Sequence, residues 1–191
     1  MTRIHWVRHA PTHQRRLVGH WDAPADFSDE AALAALAASL PPTAPIVSSD
    51  LSRASGTADR ITGKRERLPD DAGLREFDFG LWDRLTFPEI SASHPDLSRR
   101  FWGGESDARP PQGESWSDLS ARIGRALEPY LARGDADLVI VAHFGVILTQ
   151  IARIGKLDTA TTLSHRIDNL STTSLRYGKS PGIISINRPP K

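Results

Sequence analysis

Two histidines and two arginines stand where predicted strands of this chain end. Ile4 to Val7 reads as a short buried strand that Pro11 stops from continuing, so Arg8 and His9 emerge at the carboxyl edge of a sheet. Leu138 to Ala142 is a continuous apolar run of the kind buried on both faces, and it delivers His143 to the same edge. Ile46 and Val47 make a further short strand, followed by a turn into a helix with Arg53 in its first turn. Ligands of open α/β sheets bind at this edge. An arginine carries a permanent charge and a planar fork suited to phosphate oxygens, and a neutral imidazole is a competent nucleophile. Arg8, Arg53 and one protonated histidine would hold a dianionic phosphoryl group against a second, neutral histidine with no metal required. Taken singly, each residue has a plainer reading: a basic turn for Arg8 and His9, a surface charge for Arg53, a structural histidine for His143. Their shared topological position favours the chemistry.

The elements that must position them are those of one α/β domain. A length of 191 residues suits a single domain spanning residues 1–191 and is enough to bury a core. Lys+Arg and Asp+Glu nearly balance at 24 and 23, which removes global electrostatic support for binding nucleic acid or anionic lipid. The absence of cysteine excludes disulfides, thiolate catalysis and cysteine zinc sites. Met1 runs almost directly into the first strand, and no apolar run is long enough to span a bilayer, so the expectation is a cytoplasmic protein that binds no membrane.

Residues 13–24 read as a polar loop draped over the site. Ser28 is placed to cap a helix from Ala31 to Leu40, with Leu33, Leu36 and Leu40 on one face and Pro41 and Pro42 ending it. Leu74 to Trp82 alternates apolar and acidic residues and reads as an extended segment or loop. The stretch from Thr86 to Gly104 breaks the strand-helix rhythm and suggests a small cap inserted around residues 84–113. Ser115, with Asp118 three residues on, opens a helix with Trp116, Leu119, Ile123, Leu127 and Tyr130 on one face, closed by Gly134. Val146 to Ile154 reads as a helix. Thr172 to Tyr177 and Ile183 to Ile186 are short strand candidates.

These segments carry a family resemblance. Val7-Arg8-His9-Ala10-Pro11-Thr12 resembles the Arg-His-Gly signature of the histidine phosphatase superfamily, also called phosphoglycerate-mutase-like. Residues 48–58, around Arg53, are similar to its second arginine motif. Leu74-Arg75-Glu76 with Phe79-Gly80 and Trp82 resembles its acid motif, Gly113-Glu114-Ser115 the loop before its long helix, and Ala142-His143-Phe144-Gly145 its second histidine motif. The matches come in the family's order and cover nearly the whole chain.

The resemblance implies a three-layer α/β/α fold with a mostly parallel sheet, and a phosphohistidine mechanism without cofactor. His9 would be the nucleophile, oriented by a hydrogen bond from its other ring nitrogen. Arg8, Arg53 and His143 would bind the phosphoryl oxygens, and Glu76 would protonate the leaving oxygen and later deprotonate water. A carboxyl group beside an anionic phosphate has its charged form disfavoured, which suits a proton donor. Asp78 and Asp83 are rival acids. Ala10 stands where the family usually has glycine, harmless if φ is negative there, and Asp83-Arg84 stands where Glu-Gly is common. Thr12 and Ser52 are candidates for hydroxyl contacts to the phosphoryl group, or for turn and capping roles. Glu114 is placed either to bond helix-start amides or to face the pocket, the structural role being favoured, while Arg15, Arg16, Arg99, Arg100 and Trp102 are candidates to meet the rest of a substrate, with a surface role the plainer reading of each.

The expected function is hydrolysis of a small phosphorylated metabolite. A phosphoglycerate-type mutase is the nearest alternative, disfavoured by the short cap. A non-catalytic phosphate-binding protein is a second alternative, disfavoured because all five catalytic positions hold competent residues. A metal site at His5, His9, His13 and His20 lacks a completing carboxylate. A homodimer is left open.

Overall fold

The computed structural model describes residues 1–190. Among them, five strands form one mixed sheet: β1 (Thr2–Arg8), β2 (Ile46–Ser48), β3 (Asp137–Ala142), β4 (Thr172–Tyr177) and β5 (Gly182–Arg188), in the order β2-β3-β1-β4-β5. β2, β3 and β1 are parallel, and only β4 runs against its neighbours. Alternation along the central strands divides the core. Ile4, Trp6, Leu138 and Ile140 pack on one face against α5 (Trp116–Ala132) and α6 (Phe144–Gly155). Val7, Val139 and Val141 pack on the other against α1 (Glu30–Ser39) and α2 (Ser52–Ile61), which completes three layers.

The register sets up the site. Arg8 lies opposite Ala142, so the residue after each, His9 and His143, leaves the sheet at the same level, and His9 N–H donates to Ala142 O at 3.1 Å. Ser48 pairs with Val141, which brings the turn before Arg53 to that edge too.

Local chemistry corrects several expectations. Asp29, rather than Ser28, caps α1, because its carboxylate accepts from Ala32 N at 2.9 Å while Ser28 N–H is taken by Asp26. The Leu74–Trp82 stretch is a loop, one of the two forms its sequence allows, bounded by short 3-10 turns at Ala72–Leu74 and Gly80–Trp82. The Ser115–Asp118 capping box is present, and Gly134 takes φ +76 just past α5. Residues 86–104 form α3 (Phe87–Ser93), opened by a Thr86–Glu89 capping box, and α4 (Pro95–Trp102). The five-residue α7 (Thr159–Leu163), capped by Asp158, has no apolar periodicity long enough to announce it.

Candidate active site

His9 is almost wholly buried, and its Nδ1 lies 2.6 Å from Ala10 O. A carbonyl only accepts, so the proton sits on Nδ1 and the lone pair of Nε2 is left for chemistry. Burial, then Arg53, hold the ring well below the ordinary histidine range, which keeps it neutral. Around it the backbone is pinned from two sides. Asn169 Nδ2 donates to His9 O at 2.8 Å, and Ala10 N–H donates to Thr57 Oγ1 at 3.0 Å. Ala10 is not among the residues with positive φ, and its Cβ is fully buried in the core, so alanine is accommodated there.

His143 is completely buried, its ring centroid 5.1 Å from that of His9. Burial, then the charge of Arg53, push it well below the ordinary range as well, so the protein's own groups leave it neutral and not protonated as expected. Arg8 donates to Ile167 O at 2.6 Å and its guanidinium lies 5.4 Å from the Phe144 ring centroid. Arg53 is fully buried and donates to Gly19 O at 2.7 Å and Trp21 O at 2.9 Å, which makes it the anchor of the 13–24 loop. Burial lowers both guanidinium pKa values, yet arginine stays charged. Four buried nitrogens here, Arg8 Nε, Arg53 Nε and both ring nitrogens of His143, have no protein partner. Such unpaired buried groups are costly, and the N–H groups among them, gathered near His9 Nε2, form an arrangement able to receive an oxygen anion.

Glu76 faces this cluster, with Oε1 accepting from Phe77 N and Gly145 N, each at 3.0 Å. Its position at the start of α6 places a carboxylate at the positive end of a helix. Residue 145 must be small: a Cβ there would stand 2.6 Å from Glu76 Oε1 and 2.6 Å from the Phe77 ring. The loop carrying Glu76 is clamped by a residue that sequence reasoning missed. Arg122 donates to Gly73 O, Arg75 O and Glu76 O at 2.9 to 3.0 Å and is paired with Glu114. Glu114 also accepts from Asp78 N at 3.0 Å, so its role is structural but not the one expected, because Asp118 takes the helix-start amide.

The remaining candidates separate. Asp83 accepts from Gly19 N and Trp21 N, and Asp78 from Gly80 N, so both rival acids serve loop structure. Arg84 takes φ 69, a left-handed conformation that glycine adopts more cheaply, at the position where the family resemblance has glycine. Ser52 is drawn away from the site, its amide and hydroxyl both bonded to Asp22. Thr12, Arg16 and Trp102 line a cavity of about 220 Å³ with Arg8, His9 and Glu76, whereas Arg99 and Arg100 pair with Asp96 and Glu105. Arg15 is exposed and lines no part of that cavity. The histidines considered for a metal are dispersed: His5 bonds Asp137 and Ser174, His13 bonds Asp26, and His20 bonds Glu76 O. A larger groove of about 730 Å³ between α5 and α6 contains none of the candidate catalytic residues.

Comparison with known proteins agrees with this architecture. The bifunctional protein Rv2228c of Mycobacterium tuberculosis is 31% identical over 147 residues, 75% of this chain and 39% of that protein, so the match spans about two fifths of that relative's length. The probable phosphoglycerate mutase GpmB of Serratia proteamaculans is 27% identical over 97% of this chain and 89% of its own. The mycobacterial glucosyl-3-phosphoglycerate phosphatase Rv2419c superposes with a TM-score of 0.83 at 27% identity, covering 99% of this chain and 100% of that one. The family model of the histidine phosphatase superfamily, branch 1, matches residues 4–186, and the chain belongs to that family.

Proposed function

We propose that this chain is a metal-independent phosphomonoester hydrolase, of the histidine acid phosphatase type, working through a phosphohistidine on His9. The observation that carries the reading is the tautomer of His9, with Nδ1–H committed to Ala10 O and Nε2 directed to chemistry among four unpartnered buried nitrogens. Arg8 Nε, Arg53 Nε and His143 would receive the phosphoryl oxygens. Thr12, on the cavity wall, is a further contact. A dianion at this position reverses the electrostatics that keep His143 neutral, so His143 takes up a proton with the substrate and donates it towards a phosphoryl oxygen.

In the first step Nε2 of His9 attacks phosphorus, the ester P–O bond breaks, and the leaving oxygen takes a proton from the Glu76 carboxyl group. In the second, the Glu76 carboxylate takes a proton from water, the hydroxide attacks phosphorus, the N–P bond breaks, and inorganic phosphate leaves. The residue 84–113 segment acts as a small cap within a single domain, closing one side of the cavity with Phe87 and Trp102. A mutase would run the same first step and return the phosphoryl group to a sugar acid. Relatives named as probable phosphoglycerate mutases keep that reading alive.

The test is to assay the purified chain with excess chelator on a panel of phosphate monoesters and on 3-phosphoglycerate. Inorganic phosphate released at undiminished rate supports the hydrolase. Isomerisation of 3-phosphoglycerate without phosphate release supports the mutase, and activity that returns only with a divalent ion contradicts both.

A further inference from the structure

Resting on the hydrolase reading, we infer that the leaving group of the physiological substrate is uncharged and largely apolar, with an aromatic or comparably flat hydrocarbon portion. Beyond the phosphoryl end, the cavity wall is built from Leu17, Phe79, Phe87, Trp102, Trp116 and Phe144. Three of these rings adjoin, with Phe87 and Trp102 centroids 5.1 Å apart and Phe79 and Trp102 6.2 Å apart. Phe87 is 53% exposed, so its ring adds open apolar surface to the cavity wall.

The charges point the same way. A sugar acid or amino acid leaving group carries a carboxylate that needs its own cation. Apart from Arg8, which serves the phosphoryl end, the cavity wall offers only Arg16, already donating to Arg84 O at 2.8 Å and facing Glu89 at 3.5 Å. Nearby Arg99, Arg100 and Arg109 are each committed to a carboxylate, and no lysine lines the cavity.

Non-hydrolysable phosphonates separate this inference from the catalytic reading. Calorimetric titration with 2-phenylethylphosphonate, ethylphosphonate and 2-carboxyethylphosphonate should show the phenylethyl compound binding about 10- to 100-fold more tightly than the ethyl one, as burial of one ring predicts. The carboxyethyl compound should bind no better than the ethyl one. Trp102→Ala should narrow the gap between the phenylethyl and ethyl compounds. The exposed Phe87→Ala should narrow it too, and does so without touching the packed core. Equal affinities for all three, or tightest binding of the carboxylate, would overturn the inference.

The corresponding phosphate esters have leaving alcohols of similar acidity, so their kcat/KM values should follow the same order. Ester hydrolysis with no such preference sinks this inference and leaves the hydrolase reading standing. Selective phosphonate binding with no ester hydrolysis does the reverse.

Discussion

The two oxygens of the Glu76 carboxylate lie 3.0 and 3.1 Å from the amide nitrogen of Gly145, so the candidate acid is fixed by the first turn of the helix that follows the second histidine. One motif would therefore serve two purposes in the proposed reaction, His143 at the phosphoryl site and Gly145 holding the candidate proton donor.

Gly145→Ala tests this coupling. The added methyl gains about 1 kcal/mol in helix propensity but overpacks a buried site at about 1–3 kcal/mol, so a net loss of stability is expected. More diagnostic is its effect on rate. By displacing the carboxyl group it should reproduce part of the Glu76→Gln defect, slowing phosphoenzyme formation from alkyl esters by roughly 10²–10⁴-fold in the Gln variant and much less from p-nitrophenyl phosphate, whose leaving group needs no proton. Single-turnover rates check it, because slow dephosphorylation then has no influence. Equal losses on both substrates would mean that the proton comes from elsewhere.

Arg122→Met should loosen the loop that carries Glu76. The Arg122–Glu114 pair is mostly buried, with 20% and 14% of the side chains exposed, so leaving Glu114 unpaired should cost roughly 3 kcal/mol. That corresponds to a fall in Tm of about 6–12 °C. If Arg122 positions Glu76 through that loop, the leaving-group sensitivity of the variant should shift towards that of Glu76→Gln. Unchanged sensitivity alongside a lower Tm would limit Arg122 to stability.

Arg8, His9, Arg53 and His143 are legible in the sequence because each stands at a strand end or a helix start, whereas Glu76, in a loop, is legible only through the family resemblance. His9 and His143 follow apolar runs that only a buried sheet accommodates, and the parallel pairing of those runs, Arg8 opposite Ala142, brings them level. Arg122 was illegible for the opposite reason. It sits on a helix face, indistinguishable from a surface charge, and its partners at residues 73–76 are supplied only by the folded chain. Asp22 is similar, since it caps a helix that begins 30 residues later. Of the aromatic wall only Trp102 is marked by the sequence, because Phe79, Phe87, Trp102 and Trp116 come from separate segments with no common period.

Both buried histidines make stability pH-dependent with a definite sign. Their folded-state pKa values lie well below the unfolded value near 6.5, so the unfolded chain binds protons first as pH falls. Their contribution is fully present above pH 6.5 and declines below it, by up to about 1.4 kcal/mol per pH unit for each histidine. Urea midpoints at pH 8 and pH 5.5 should therefore differ in the wild-type chain and differ less in His143→Gln. A midpoint that rises on acidification would contradict the neutral assignment.

The central claim is the covalent role of His9, and trapping the phosphoenzyme tests it most directly. Quenching with a phosphorus-labelled ester during turnover should leave label on the wild-type protein that is lost in acid and retained in base, as a phosphoramidate requires, and His9→Ala should carry none. Label that survives in His9→Ala, or that is stable in acid and lost in base as an acyl phosphate is in alkali, would contradict the account.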